Sequence, residues 1–179
     1  MKKIAIAVLL SVAIGSAVAD EMHMYVGARA GQAKTNIDNN TYNNSTLTST
    51  NPTGWGLFFG HIINPNFAVE AEYLNLGEIK AGTGSAKSTG FSFSGVGSLP
   101  LNEQFSLFGK LGYALITGKP GGSFTGADAK SNALTYGFGA QFNLSQSLGV
   151  RLGWDKYKFN DTGMNGNASL VSVGGLIKF

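Results

Sequence analysis

The chain has no cysteine, only two histidines and four prolines, and no long apolar run after residue 19. Each shortage excludes something. Without cysteine there is no disulfide framework, which is unusual for a small exported fold. There is also no thiolate metal site and no cysteine for lipid anchoring. His23 and His61 are too few and too isolated to form a metal-ligand cluster. No window after the first nineteen residues has the length and apolarity of a membrane-spanning helix. A β-barrel, whose signal is weak in each segment, is not excluded by that. Net charge is also small. Setting aside Lys2 and Lys3 leaves 11 basic against 10 acidic residues, so nothing supports a nucleic-acid partner.

What is present begins with an address. Lys2 and Lys3 precede an apolar run over 4–14 and the small residues Gly15, Ser16, Ala17 and Ala19. A charged start, a short apolar core and a small-x-small site read as a secretory signal over 1–19, leaving 20–179 as one domain. Glycine is abundant at 26 residues, and 12 Phe, 6 Tyr and 2 Trp accompany a mean hydropathy near zero.

Eight segments of about ten residues alternate with a period of two, as a tilted membrane-spanning strand requires. They cover 24–33, 54–63, 67–76, 89–99, 105–116, 132–143, 148–157 and 170–179. The connections read alternately long and short. Polar or glycine-rich loops are expected at 35–53, 77–88, 117–130 and 159–168, with turns at 64–66, 100–104 and 144–147. An even strand number places both termini on the short-turn side.

The two faces differ in kind. One carries Trp55, Leu57, Phe59, Val69, Phe91, Phe93, Leu111, Tyr113, Phe138, Leu152 and Trp154. The charges Arg29, Glu70, Glu72, Lys110, Arg151, Asp155 and Lys178, those well inside the strands, fall on the opposite face; Lys156 breaks the phase, beyond Trp154 at the expected water boundary. A soluble ligand-carrying barrel would place apolar groups inside and charges outside. The inverse fits lipid as solvent and a polar lumen. His61, Tyr73, Tyr113, Phe142, Trp154 and Phe179 fall near strand ends on the outer face, as interfacial girdles do. The architecture expected is therefore all-β: an eight-stranded antiparallel up-and-down transmembrane β-barrel. Eight strands enclose an interior just wide enough to be filled by side chains, which argues against a wide pore. Confined charges must pair, so the lumen set reads first as a plug of ion pairs. A catalytic pair at Glu70 and Glu72 is the sharper but weaker reading. His61 points outward and His23 precedes the first strand, so no catalytic, cofactor or metal site is assigned.

The last strand ends on an aromatic residue. Ser172, Gly174, Ile177 and Phe179 fill the slots of a polar residue, a glycine and two spaced hydrophobic residues. That stretch resembles the carboxyl-terminal assembly signal of bacterial outer-membrane barrels. The resemblance implies barrel-assembly machinery as a partner of this strand.

A broader likeness follows. Residues 54–79 contain Gly-x-Gly-x-x-x-Gly, Asn64-Pro65 and the run from Val69 to Gly77. They resemble strands two and three of the OmpA-type transmembrane domain. Residues 105–113, 139–154 and 171–179 are similar to its later strands. In that family a lumen glutamate of strand three pairs with a lumen arginine of strand seven and blocks the water path. The matching residues here are Glu70 and Arg151, with Glu72, Lys110 and Arg29 as neighbours. Gln141 stands where the family has an acid. The family's peptidoglycan-binding domain does not follow, so cell-wall tethering is not carried over.

The resemblance implies an outer-membrane protein of a Gram-negative bacterium, monomeric, with periplasmic termini and with lipid and lipopolysaccharide as surroundings. It implies a structural and surface role: membrane integrity, adhesion through loops, and a small gated ion conductance. The rival readings are a lipid-modifying barrel enzyme and a narrow channel for a small solute. No enzyme activity and no cofactor are expected, and the loops carry no legible binding code.

Overall fold

The computed structural model describes residues 23–37, 51–81, 84–122, 129–161 and 164–179. The expected leader over 1–19 and most of the polar stretch 35–53 lie outside them. Eight strands follow in chain order: β1 (Met24–Ile37), β2 (Thr53–Asn64), β3 (Phe67–Ala81), β4 (Gly84–Pro100), β5 (Phe105–Gly122), β6 (Ala129–Asn143), β7 (Leu148–Asp161) and β8 (Met164–Lys178). Every neighbouring pair is antiparallel, and β1 also pairs with β8, which closes the barrel. Among the described residues there is no helix.

The period-two pattern becomes two surfaces. Along β2, Gly54, Gly56, Phe58 and Gly60 are buried while Trp55, Leu57, Phe59 and His61 are exposed. Leu111 is 63% exposed and Tyr113 68%. Phe93, Leu107, Phe138, Leu152 and Val173 join them in one apolar outer band. In water so large a contiguous apolar surface would drive association. In a bilayer it is the solvated surface. Trp55, Tyr73 and Phe91 form a chain of ring contacts on three adjacent strands, with centroids 5.7 and 5.1 Å apart. Trp154 packs between Phe138 and Tyr136 in the same way.

Both described termini and the three short turns lie at one end. Met24 and Phe179 exchange backbone hydrogen bonds at 3.0 and 2.9 Å, sealing the β1–β8 seam there. Asn64 and Asn102 each cap a turn by accepting two backbone N–H groups through the side-chain oxygen. At the other end the strands run further than alternation suggests. Residues 77–81, 84–88, 117–122, 129–130, 159–161 and 164–168 read as loop from their composition, yet they continue the ladder. Beyond the apolar band both faces are wet, so alternation fades. The backbone hydrogen bonds do not depend on it. The β3–β4 ladder reaches Ala81↔Gly84, and the β7–β8 ladder reaches Asp161↔Met164. Gly77, at the bulge between Asn75 and Gly77, has a φ of 85°, a conformation that favours glycine.

Inside, small residues lie beside large ones. A Cβ on Gly60 would fall 2.0 Å from the Tyr25 ring, one on Gly56 2.3 Å from Glu72 Oε1, and one on Gly27 2.3 Å from Phe58. Much of the glycine content is thus room for a neighbour's side chain, the small/large alternation by which a narrow barrel fills itself.

The assignment of faces has a direct consequence. Leu111→Arg should cost about 2–4 kcal/mol in a bilayer unfolding titration, whereas Ser106→Asn on the lumen side should cost little. Equal costs would show that the assignment of faces is wrong.

Candidate functional site

The charged lumen residues meet in one cluster. Arg29 comes from β1, Glu70 and Glu72 from β3, Lys110 from β5, and Arg151 and Asp155 from β7. The odd strands supply the charges, and the even strands place a glycine or serine on at least one side of each. Arg29 lies between Gly56 and Gly174, Glu70 between Gly60 and Ser94, and Asp155 beside Gly137. Each long side chain therefore has space to cross the lumen. Gly174 of the carboxyl-terminal motif is one of these spaces, since a Cβ there would fall 2.8 Å from Arg29 Cβ. Ser172 of the same motif is buried, and its Oγ accepts from Arg29 at 3.4 Å. Ile177 and Phe179 face outward.

The cluster has two centres. At the first, Arg151 donates to Glu70 Oε2 at 2.7 Å, Lys110 to Glu70 Oε1 at 2.9 Å, and the Tyr25 hydroxyl to Oε2 at 2.9 Å. At the second, Arg29 holds Glu72 through two hydrogen bonds, one of them 2.8 Å long, and is ion-paired to Asp155. It also donates to the Tyr157 hydroxyl at 2.9 Å. Lys110 links the centres, lying 3.4 Å from Asp155 and 3.6 Å from Glu72. Gln141 takes the remaining Arg151 donors through its Oε1 at 3.0 and 3.3 Å. Three cations face three anions, so the set is neutral. Among the described residues no fully buried side-chain nitrogen or oxygen lacks a hydrogen-bond partner. Such satisfaction is what allows charges to remain in a desolvated interior. Arg151 has further cover: its guanidinium lies 4.7 Å from the Phe108 ring centroid, 5.1 Å from Phe58 and 5.2 Å from Tyr25. Aromatic faces attract a cation that has lost its water.

Glu70, Arg151, Glu72, Lys110 and Arg29 are thus brought together, with Gln141 beside them. Three points differ from the reading of the sequence. The centre is a six-charge network rather than one pair with neighbours. Tyr25 and Tyr157 take part in it. Both stand on the inward phase of their strands, the one signal that could have found them. Lys178, counted among the lumen cations, lies outside the cluster at the turn end and donates to Asn143 Oδ1 at 3.1 Å.

The lumen is also not polar throughout. On the loop side of the charges, Ala33, Leu74, Leu76, Ala114, Ile116, Ala133, Tyr157, Ala168 and Leu170 form a buried apolar layer. On the turn side Tyr25, Phe58 and Leu176 form another, backed by Ile62 and Ala68. Leu74 and Leu170 are fully buried. Burying a leucine from water contributes about 1.5–3 kcal/mol. The space enclosed among Arg29, Phe58, Glu70, Phe108, Lys110 and Arg151 measures about 10 Å³, room for one water at most.

His23 and His61 are both exposed, and His61 is on the outer face. No hydrogen bond joins either imidazole to a hydroxyl or carboxylate among the described residues. No group of three histidine, aspartate or glutamate side chains there could hold a metal ion.

Neutrality makes a prediction about stability. Glu70→Ala leaves one uncompensated positive charge and should cost about 3–5 kcal/mol, less where lumen water reaches it. Glu70→Gln with Arg151→Met restores neutrality and should recover much of that loss. Urea unfolding in lipid vesicles for the single and double variants checks it. Additive single effects would mean that the two residues are not coupled.

The same architecture recurs in solved structures. The fold matches Neisserial surface protein A with a TM-score of 0.73 at 17% identity, over 87% of this chain and 97% of that one. It matches Ail, the attachment invasion locus protein of Yersinia pestis, with a TM-score of 0.64 at 18% identity, over 89% and 100%. It also matches the N-terminal β-barrel domain of Pseudomonas aeruginosa OprF with a TM-score of 0.57 at 10% identity, over 87% and 97%. At these identities the likeness is one of fold alone. Among curated proteins no relative matches the chain. The family model described as "Outer membrane protein beta-barrel domain" matches residues 4–176. With a closed eight-stranded barrel, an apolar outer band and a family match over nearly its whole length, the chain belongs to the outer membrane protein β-barrel family and is an outer-membrane protein.

Proposed function

We propose that this protein is a sealed barrel whose role lies at the membrane surface: it supports membrane integrity and presents its loop end for attachment. One observation carries the reading. The lumen is closed in three layers, apolar, ionic and apolar, so the barrel's interior is a packed core rather than a path. What is left to act is the outside. The loop end extends the ladder as hairpins beyond the apolar band. The Yersinia pestis barrel of the same fold is described as an attachment and invasion protein, and that likeness favours the surface role.

In this reading the termini and short turns face the periplasm and the hairpins face outward, in keeping with short periplasmic turns and longer outer loops. We read the barrel as a monomer; closure leaves no free strand edge by which a second copy could extend the sheet. Its surroundings are outer-membrane lipid and lipopolysaccharide. The last strand serves as the signal for the barrel-assembly machinery, with Ser172, Gly174, Ile177 and Phe179 as the motif.

A small gated conductance is the finer alternative, and the position of Lys110 favours it. This ammonium lies within 4 Å of all three carboxylates, so the cluster has other pairings within reach. Glu70 and Arg151 would then be the gate, and the apolar layers would have to part with them.

Planar-bilayer recordings test the sealed lumen. The purified protein should show no steady current, and Glu70→Ala should add brief openings. A steady ohmic current in the unaltered protein would overturn the sealed barrel. Unchanged currents in the variant would remove the gate. Assembly is tested separately. Deleting Phe179 removes both backbone hydrogen bonds to Met24 and the terminal aromatic residue, so the chain should accumulate unfolded in the periplasm. Normal outer-membrane yield of that variant would exclude the proposed signal.

A further inference from the structure

One strand pair differs from the other seven in what fixes it. The other seven are consecutive in the chain, so a connection joins each pair, and three of those connections are the short turns at 65–66, 101–104 and 144–147. β1 and β8 are the two ends of the sheet, and no connection joins them. Register in a sheet is set by turn geometry and by the hydrophobic pattern. At the seam only the pattern is left, and it tolerates a shift of two residues. Such a shift keeps every side chain on its own face. Ala30, now across from Val173, would lie across from Val171 or Gly175, and the wall would stay apolar. The shear of the barrel would change, however, and with it strand tilt and lumen width. Selection of the observed register therefore falls to the lumen.

Arg29 is the one charged residue on the inward face of β1. Its guanidinium donates to both Glu72 carboxylate oxygens and is ion-paired to Asp155. Glu72 stands on β3, whose register to β1 runs through β2. Asp155 stands on β7, whose register to β8 runs on to the hairpin end at Asp161↔Met164. One side chain thus touches the sheet on both sides of the seam and ties their heights together. Tyr157, two residues from Asp155 on the same face, accepts from the same guanidinium at 2.9 Å. A slip of two residues moves β1 past β8 by about 7 Å, more than twice the length of a hydrogen bond. Held by two bonds to Glu72, Arg29 would then lose Asp155 and Tyr157. The inward residues of the seam are also matched in size. Gly27 faces Leu176, Arg29 faces Gly174 and Ala33 faces Leu170. Slipped one way, Arg29 meets Leu176. Slipped the other way, Gly27 meets Gly174 and Tyr25 meets Leu176.

We propose that Arg29 is a register key. As the barrel closes, it selects the one β1–β8 pairing in which a single guanidinium satisfies Glu72 on one side of the seam and Asp155 and Tyr157 on the other. Gly174 and Ser172 form its seat. A Cβ at Gly174 would fall 2.8 Å from Arg29 Cβ, so a side chain there would press on the arginine, and the Ser172 hydroxyl lies 3.4 Å from the guanidinium. These two residues of the carboxyl-terminal motif therefore act in closure as well as in the signal proposed above. The Glu70 centre does not take part in the selection. Its charges stand on β3, β5 and β7, whose mutual registers run through consecutive pairs and do not cross the seam. Tyr25 joins that centre from β1 by donating to Glu70, on the β3 side, and meets β7 only as a ring 5.2 Å from the Arg151 guanidinium.

The test reads the seam register by cross-linking, which the absence of native cysteine permits. Ala30→Cys is combined in turn with Val173→Cys, the native partner, and with Val171→Cys or Gly175→Cys, the partners after a slip of two. Directly opposed residues have Cβ atoms about 5 Å apart and diagonal ones about 7–8 Å, so oxidation favours the pair that is in register. Each pair is placed in three backgrounds: the unaltered lumen, Arg29→Met/Asp155→Asn and Glu70→Gln/Arg151→Met. Each altered lumen loses one cation and one anion, so neither gains a net charge. The full chain is refolded from urea into lipid vesicles, and heat-modifiable migration on a gel identifies the folded fraction. Thiol labelling before and after reduction measures the disulfide. In the unaltered lumen and in Glu70→Gln/Arg151→Met the native pair should dominate. In Arg29→Met/Asp155→Asn the slipped pairs should gain about tenfold relative to the native pair, the factor that corresponds to losing one charge-assisted hydrogen bond. A native register unchanged in all three backgrounds overturns the proposal, because packing alone then sets the seam. Equal gain in both altered lumens overturns it too, since any loss of lumen charge would then loosen closure. So does failure of Arg29→Met/Asp155→Asn to fold, because loss of a register key leaves barrels that close wrongly rather than chains that stay open.

Discussion

Closure of the backbone ladder between β1 and β8 is the constraint on which the rest depends. In a bilayer no water is available to a free N–H or C=O, so a spanning sheet must have no edge. Here the seam is continuous from Tyr25↔Lys178 to Ile37↔Gly166, and the Met24–Phe179 hydrogen bonds finish it. Once eight strands close, the lumen is narrow, and every inward side chain must share it with seven other strands. That accounts for the glycines that yield to Tyr25, Phe58 and Glu72, and for a charged set that sums to zero.

The interior is built like a soluble protein's core with an ionic middle. Leucine, alanine and aromatic side chains close both ends, and the charges between them are satisfied by one another rather than by water. The two kinds of layer are complementary. The apolar layers keep the cluster dry, which strengthens its electrostatics. The cluster in turn fills a level where apolar side chains alone would leave β1, β3, β5 and β7 without specific partners. Buried ion pairs add little net stability over apolar packing, so we read their role here as fixing which residues face each other across the lumen. A barrel filled in this way leaves its outer wall and loop end as the surfaces that can meet other molecules.

Strand number, strand direction and the identity of each face were legible along the chain, because side-chain alternation is local and lipid demands a clean apolar face. The charged positions all fell on the correct face for the same reason. Strand length was less legible. At 77–81 and 164–168 the residues are those of loops, and the ladder that continues through them is a matter of backbone pairing with a neighbour. The apolar lumen layers were half legible: Leu74 stood on the same face as Glu70 and Glu72, but nothing local said that Ile116 and Leu170 would meet it.

The sequence by itself determined that this is an eight-stranded membrane barrel, and which residues touch lipid and which the lumen. A period of two needs no knowledge of any other strand. Only the tertiary structure decided which lumen residues meet. Arg151 reaches Glu70 from 81 residues away, and Tyr157 reaches Arg29 from 128. Those meetings depend on the register of eight successive strand pairs around a tilted, closed sheet. A shift of one pair would move every charge to another height, and no stretch of the chain records that sum.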